Sequence, residues 1–260
     1  MHTTIIKYGM AKFQESVSHN ISNNRSQISI KSVIAIILFF VFVVLVLLCL
    51  AGFKKVEKCF DKQSFYVVYV EKTKRKMAPE SVDLIKKLGG AGCLMFFKDE
   101  YYLVANVYLK EDDADEIAEG LKVHFADAGV VKLSHGDIDK KKAVHIARNL
   151  SFSRFFEKMY KVVEDFEELQ MKYLMGSVQE GEFLTKMLKE KLEFESIVNN
   201  FENENDEKLF EDIKTYANMT VNYFDSFLDY FFQSTKKESL ICLLKFNLIK
   251  LKVDMFDNLQ

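Results

Sequence analysis

Few residues of this chain have types and spacing that could support catalysis. The motifs HExxH, GxSxG and GxxxxGK[ST], which serve zinc hydrolysis, serine nucleophiles and phosphate binding, are all absent. No histidine stands at ligand spacing from a cysteine or carboxylate, and the five are His2, His19, His124, His135 and His145. We therefore expect no catalytic residues, no metal site and no cofactor, and we predict that the protein is not an enzyme.

The four cysteines do not form a recognisable framework. Cys49 lies in an apolar run, and Cys59, Cys93 and Cys242 are an odd number at wide spacing. Neither a disulfide pattern nor a CxxC metal pair follows from this arrangement. We expect free thiols that behave as small apolar side chains.

One segment has the composition of a membrane span. Residues 33–51 read VIAIILFFVFVVLVLLCLA, which is 19 residues without a charge. At about 1.5 Å per residue a helix of this length covers roughly 28 Å, close to the thickness of the bilayer hydrocarbon. The run is longer than the apolar region of a secretory signal. We predict an uncleaved transmembrane helix at 33–52 after a short tail at 1–32, and a linker at 53–63.

The next segment, 64–134, predicts a small α/β domain. β-branched and aromatic runs predict strands at Phe65–Val70, Cys93–Phe97, Tyr101–Leu109 and Val130–Leu133. Helical spacing of apolar residues predicts one helix after the first strand and another after the third. The order β-α-β-β-α-β is that of a four-stranded split-βαβ domain with both helices on one face.

The remaining residues, 135–260, predict a helical bundle. Apolar residues recur at helical spacing in four stretches, and a single long helix could cover Asp137–Met175. We predict three or four antiparallel helices with an aromatic core. The fold class is therefore α+β, with an N-terminal transmembrane helix, the split-βαβ domain and a C-terminal bundle.

The α/β segment resembles the SPOR (sporulation-related repeat) family. The stretch Tyr101–Ala114 aligns without gaps to a family segment, with Tyr101, Lys110 and Ala114 matching and Tyr108 at the family's Phe position. Residues 88–90, Leu-Gly-Gly, are similar to the end of the family's first helix. The resemblance covers about a quarter of the chain.

The resemblance implies a function in the bacterial envelope. SPOR domains commonly lie outside the plasma membrane behind one N-terminal helix, and they bind peptidoglycan glycan strands at the division site. Taking even-numbered strand positions to face outward, we expect Tyr66, Tyr102 and Asn106 to contact the glycan. The sequence differs from the family at positions such as Val68 and Val104, where family members usually have polar residues. A sheet face of that kind could instead be covered by protein.

The charges on either side of the predicted span do not decide which side of the membrane the C-terminal region occupies. Four lysines follow the span at residues 54, 55, 58 and 62, against Arg25 and Lys31 before it, and the positive-inside rule then favours a cytoplasmic C-terminal region. Long domains translocate regardless of such charge, so an extracytoplasmic domain with a cytoplasmic N-terminus remains the first expectation. Residues 151–260 carry 14 basic and 21 acidic residues. The alternative function is a cytoplasmic scaffold whose acidic bundle recruits a protein.

The expected partners follow from these two functions. They are the lipid bilayer, the glycan strands and another envelope or division protein. A formal net charge of −2 argues against nucleic acid as a partner.

Overall fold

The computed structural model describes residues 37–46, 60–75, 77, 79–201 and 208–260. The chain divides into two units, Met1–Gly52 and Phe53–Gln260. In the first unit, residues 37–46 form a helix whose side chains are mostly exposed. The rest of the predicted span, the tail at 1–32 and most of the linker lie outside the described residues. Of the helices in the described part, none is both long enough and apolar enough to cross a membrane.

The second unit begins with the predicted four-stranded sheet. Its strands are β1 (Ser64–Thr73), β2 (Cys93–Phe97), β3 (Glu100–Tyr108) and β4 (Gly129–Ser134). Their spatial order is β2-β3-β1-β4, and every neighbouring pair is antiparallel. With one helix between β1 and β2 and another between β3 and β4, the predicted order of elements is confirmed.

Two short helices cover one face of this sheet. Helix α1 (Pro79–Lys87) starts at a proline, whose missing N–H costs nothing in a first turn, and α2 (Glu111–Leu121) has three acids in its first turn. The chain leaves α1 through Gly89, whose φ of +87° suits glycine. Ile85, Ala114 and Ala118 of these helices pack on alternate strand residues in a small apolar core.

Five further helices follow the sheet. They are α3 (Lys140–Arg148), α4 (Leu150–Leu174), α5 (Glu180–Asn199), α6 (Lys208–Phe231) and α7 (Lys237–Asn258). The single helix considered for Asp137–Met175 is wrong, because Asn149 interrupts it. The Asn149 backbone is extended, and its Oδ1 accepts hydrogen bonds from Ser151 N and Phe152 N, each at 3.0 Å. This N-cap starts α4 as a separate helix.

Helices α4 to α7 form the bundle, and phenylalanine rings fill much of its interior. Phe183 of α5 lies within 6.5 Å, between ring centroids, of Phe166 on α4 and Phe231 on α6. Helix α7 is buried on almost every side because it packs against α4, α6 and β3. The sheet and the bundle share one large apolar core. The segments 64–134 and 135–260, predicted as two domains, therefore lie in one unit.

Candidate functional site

The sheet face opposite α1 and α2 is covered by the chain's own bundle. Tyr102, Val104 and Val107 of β3 are buried in the core that also contains residues of α4 and α7. In a split-βαβ domain the face opposite the two helices is the one left open. Here both faces are covered, the first by α1 and α2 and the second by the bundle.

The structure does not bring the three predicted glycan-binding residues together. Tyr66 is half-buried on the α1–α2 face, where Lys132 Nζ lies 5.4 Å from its ring centroid. Tyr102 is buried on the opposite face, and its hydroxyl donates to Glu100 Oε2 at 3.0 Å. Asn106 is half-buried, and its amide donates to the hydroxyl of Tyr108 at 3.1 Å. The expectation of one shared outward face is therefore wrong.

The reason is a break in the strand alternation. Val68 of β1 pairs with Asn106, but the next residue, Tyr69, pairs with Val104, so Ala105 is an extra residue on β3. A bulge of this kind reverses which face a given side chain occupies. Even-numbered residues consequently face the bundle before Ala105 and the α1–α2 side after it, and a single parity rule fails for this strand.

A buried ion pair joins two helices of the bundle beside the end of β3. Lys245 of α7 is only 2% exposed, and its Nζ donates to Glu167 Oε1 of α4 at 2.9 Å. The same Nζ lies 5.1 Å from the ring centroid of Tyr108. Burial lowers the pKa of the lysine, and the Glu167 carboxylate opposes that change. Burial also raises the pKa of the Tyr108 hydroxyl to about 12.

A second buried lysine lies two helical turns further along α7. The Lys252 ammonium is surrounded by the rings of Phe65, Tyr160 and Phe256, with Nζ 4.8 to 6.0 Å from their centroids. It also donates to Gln63 Oε1, in the segment just before β1. Cation–π contacts of this kind are strongest where water is excluded. The lysine therefore joins the start of the sheet to α4 and α7.

His135 follows β4 and contacts Gln63 and Phe256, as Lys252 does. It is fully buried, its ring centroid lies 4.1 Å from that of Phe256, and its Nε2 accepts from Gln63 N at 3.3 Å. Its Nδ1 lies 3.0 Å from the carbonyl oxygen of Gly136, which requires a proton on Nδ1 and a neutral ring. Burial lowers the pKa of this histidine, and Lys252 adds to the effect.

These groups hold the layers together rather than offering reactive chemistry. Burial raises the pKa of the Cys242 thiol to about 11, so it is protonated and a poor nucleophile at neutral pH. Cys93 is half-buried, yet loss of solvation raises the pKa of its thiol to about 12. Within the described ranges, no three histidine, cysteine or acidic side chains are close enough to hold a metal ion.

Reasoning from the sequence missed the two buried lysines. Neither Lys245 nor Lys252 is among the residues predicted from the sequence to form a site. The available signal was the spacing of these two lysines, which stand seven residues apart in the mainly apolar stretch 239–253 and so lie on one face of the helix.

Ion pairs neutralise much of the acidic bundle. Lys158 of α4 pairs with Glu190 and Glu193 of α5, and Lys191 of α5 pairs with Asp225 of α6 at 2.6 Å. Among the described residues, four exposed acids of α4 and α6 have no basic partner within 4 Å, namely Glu164, Asp165, Asp212 and Asp229. The acidic stretch at 202–207 lies outside the described residues.

The comparisons with known proteins leave the family open. The resemblance to SPOR domains rests on the segment Tyr101–Ala114 and on the order of the six α/β elements. No family model, curated protein or solved structure matches the chain.

Proposed function

We propose that this chain is a single-pass, non-enzymatic membrane protein whose folded unit is a cytoplasmic scaffold for a protein partner. One observation carries the proposal: the helical bundle covers the sheet face that a glycan-binding domain of this type would leave open. A covered face cannot bind a glycan strand, and the outer sides of the bundle are then the surfaces available to a partner.

Composition supports the membrane anchor. The run at 33–51 is uncharged, and within it the described helix 37–46 exposes large apolar side chains such as Leu38 and Phe42. Such side chains are stable in hydrocarbon and unfavourable in water. The four lysines that follow the run, against two basic residues before it, support a cytoplasmic position for the folded unit.

The unpaired acids support a basic partner surface. Glu164 and Asp165 on α4, and Asp212 and Asp229 on α6, are exposed. A partner with lysines or arginines would gain charge complementarity and faster association there. Weakening of the complex by added salt is the expected signature.

Glycan binding in the envelope at the division septum stays a prediction. It requires that the bundle move away from the sheet. Tyr102 would become accessible only if the bundle moved off the sheet, which would expose the large core that they share. Because that core includes many fully buried aromatic side chains, the open state is expected to be scarce.

Pelleting with glycan strands stripped of stem peptides separates the two functions. We expect the full chain in detergent to stay in the supernatant, while an established glycan-binding SPOR protein pellets. Saturable pelleting that is lost in both Tyr102→Ala and Asn106→Ala, but kept in the exposed control Tyr230→Ala, would overturn the scaffold proposal in favour of glycan binding.

A further inference from the structure

One end of the folded unit contains a cleft lined by four lysines. Lys86 and Lys87 come from the end of α1, and Lys236 and Lys237 come from the start of α7. We call it the lysine cleft; its volume is about 620 Å³, and its other lining residues are Gly89, Tyr173, Ser234, Thr235 and Glu238. The two pairs of lysines are far apart in sequence, and the fold brings their positive charges together.

The cleft carries uncompensated positive charge. Lys237 pairs with Glu180 at 2.6 Å, and Glu238 lies against Gly89. In the described part of the chain, Lys86, Lys87 and Lys236 have no carboxylate within 4 Å. Like charges that line one cleft repel one another, and a bound anion would relieve that repulsion. Lysine ammonium groups and hydroxyls such as that of Thr235 suit phosphate oxygens.

Three exposed apolar residues lie within two positions in sequence of residues that line the cleft. Leu88 is 63% exposed and lies between the lining residues Lys87 and Gly89, while Met175 and Phe232 are each 71% exposed. Met175 follows Tyr173 at the end of α4, and Phe232 follows α6. The ends of these two helices meet, because the ring of Tyr173 lies 6.4 Å from that of Phe231. Large exposed apolar groups beside a basic cleft mark an interaction site.

We propose that this end of the folded unit docks on the anionic headgroups of the membrane that holds the chain. Phosphate groups would occupy the lysine cleft, and Leu88, Met175 and Phe232 would enter the interface between headgroups and acyl chains. The inference rests on the proposed function for the anchor, which keeps the folded unit near a bilayer at high effective concentration.

The combination of charges and apolar groups favours lipid over other anions. A soluble phosphate would use the lysines and leave Phe232 exposed to water. A nucleic acid is a long polyanion, and the acidic excess of residues 151–260 would repel it. A lipid surface uses both features of this end of the molecule, the positive charge and the apolar side chains.

A single tryptophan provides a direct test, because the chain has none. The full-length variant Phe232→Trp is reconstituted in nanodiscs of phosphatidylcholine alone or with phosphatidylglycerol. We expect a blue-shifted emission and weaker acrylamide quenching only in the anionic discs. The same emission and quenching in both kinds of disc would overturn the proposal.

Charge variants in the Phe232→Trp background test the lysines. Neutralising Lys86, Lys87 and Lys236 together, each to Gln, should abolish the shift, since each lysine near an anionic surface contributes about fivefold to binding. The matched control replaces the exposed lysines Lys122, Lys161 and Lys189 by Gln and should keep the shift. A shift that both triple variants lose equally would indicate general charge attraction and overturn the assignment to the cleft.

Lysine footprinting with an amine-reactive reagent separates lipid from soluble phosphate. In the full chain without substitutions, anionic discs should slow modification of Lys86 and Lys236 but not of Lys189, which does not line the cleft and is 75% exposed. Equal protection by inorganic phosphate in neutral discs would overturn the lipid proposal in favour of a soluble anion. A separate measurement tests the anchor itself. If the chain has no transmembrane helix, alkaline extraction should release it from vesicles.

Discussion

Lys245 of α7 lies over the ring of Tyr108 on β3, with its Nζ 5.1 Å from the ring centroid. The same Nζ binds Glu167 of α4 at 2.9 Å, so one ammonium group contacts the sheet and two helices of the bundle. The neighbours of Lys245 on α7, Leu244 and Phe246, belong to the apolar core that the sheet and the bundle share. The bundle is therefore positioned on the sheet by a charged group as well as by apolar packing.

The buried ion pair predicts an asymmetric effect on stability. Glu167→Gln leaves the Lys245 charge buried without its carboxylate and should lower the free energy of unfolding by about 3 kcal/mol. The double variant Lys245→Met with Glu167→Gln removes both charges, and it should return to within about 1 kcal/mol of the unsubstituted chain. Urea unfolding monitored by circular dichroism measures both.

The neighbouring pair supplies the control for this prediction. Glu168 pairs with Lys172 on the surface, and the carboxylate side chain is 68% exposed. Glu168→Gln should change the free energy of unfolding by no more than about 0.5 kcal/mol. Equal losses in Glu167→Gln and Glu168→Gln would contradict a buried charge at Lys245.

His135 predicts a loss of stability in mild acid. Its pKa in the folded chain lies below the ordinary value of 6.5, so the unfolded chain binds the additional proton first. The stability due to the neutral ring is complete above pH 6.5 and falls as the pH decreases from that value towards the folded-state pKa. His135→Gln should show a weaker fall as the pH decreases below 6.5, measured by thermal unfolding.

The exposed residue His145 is the matched control, and His145→Gln should keep the acid dependence of the unsubstituted chain. If His135→Gln instead loses as much stability in acid as the unsubstituted chain, the buried neutral histidine is not the cause.

The Cys242 thiol predicts slow alkylation in the folded state. Raising its pKa from 9.0 to about 11 lowers the thiolate fraction at neutral pH, and two pKa units correspond to about 100-fold. Mass spectrometry of chain treated with iodoacetamide should show modification of Cys242 at least that much slower than in urea. Equal rates with and without urea would mean that the thiol is accessible.

The same thiol gives a stability prediction at high pH. The folded chain keeps this proton while the unfolded chain loses it near pH 9.0. The corresponding stability is present below pH 9.0 and is lost as the pH rises through about 11. Cys242→Ser should weaken this dependence, measured by thermal unfolding in the same pH range.

Local patterns were enough to predict the elements of the fold. The run Phe65–Val70 indicated β1, and the apolar residues of 209–231 at helical spacing indicated α6, because each pattern depends only on neighbours in sequence. The break at Asn149 was missed, since an N-cap depends on the backbone angles of one residue as much as on its type.

The candidate site depended on non-local information. Because Ala105 is an extra residue in β3, Tyr102 and Tyr108 lie on opposite faces of the sheet. The alternation of residue types along the strand does not predict such a bulge. Helical spacing of apolar residues predicted the bundle helices, yet α7 is buried nearly all round because it packs against three other elements. Which elements meet is decided by tertiary packing and not by the pattern within one helix.

The most direct test of the account is the side of the membrane on which the folded unit lies. Intact cells whose walls have been removed, and which carry the chain with a C-terminal tag, are treated with protease. We predict that the tag survives in these cells and is lost when they are lysed, which places the unit in the cytoplasm. Loss of the tag from intact cells would contradict the scaffold proposal and place the unit on the side where glycan strands are found.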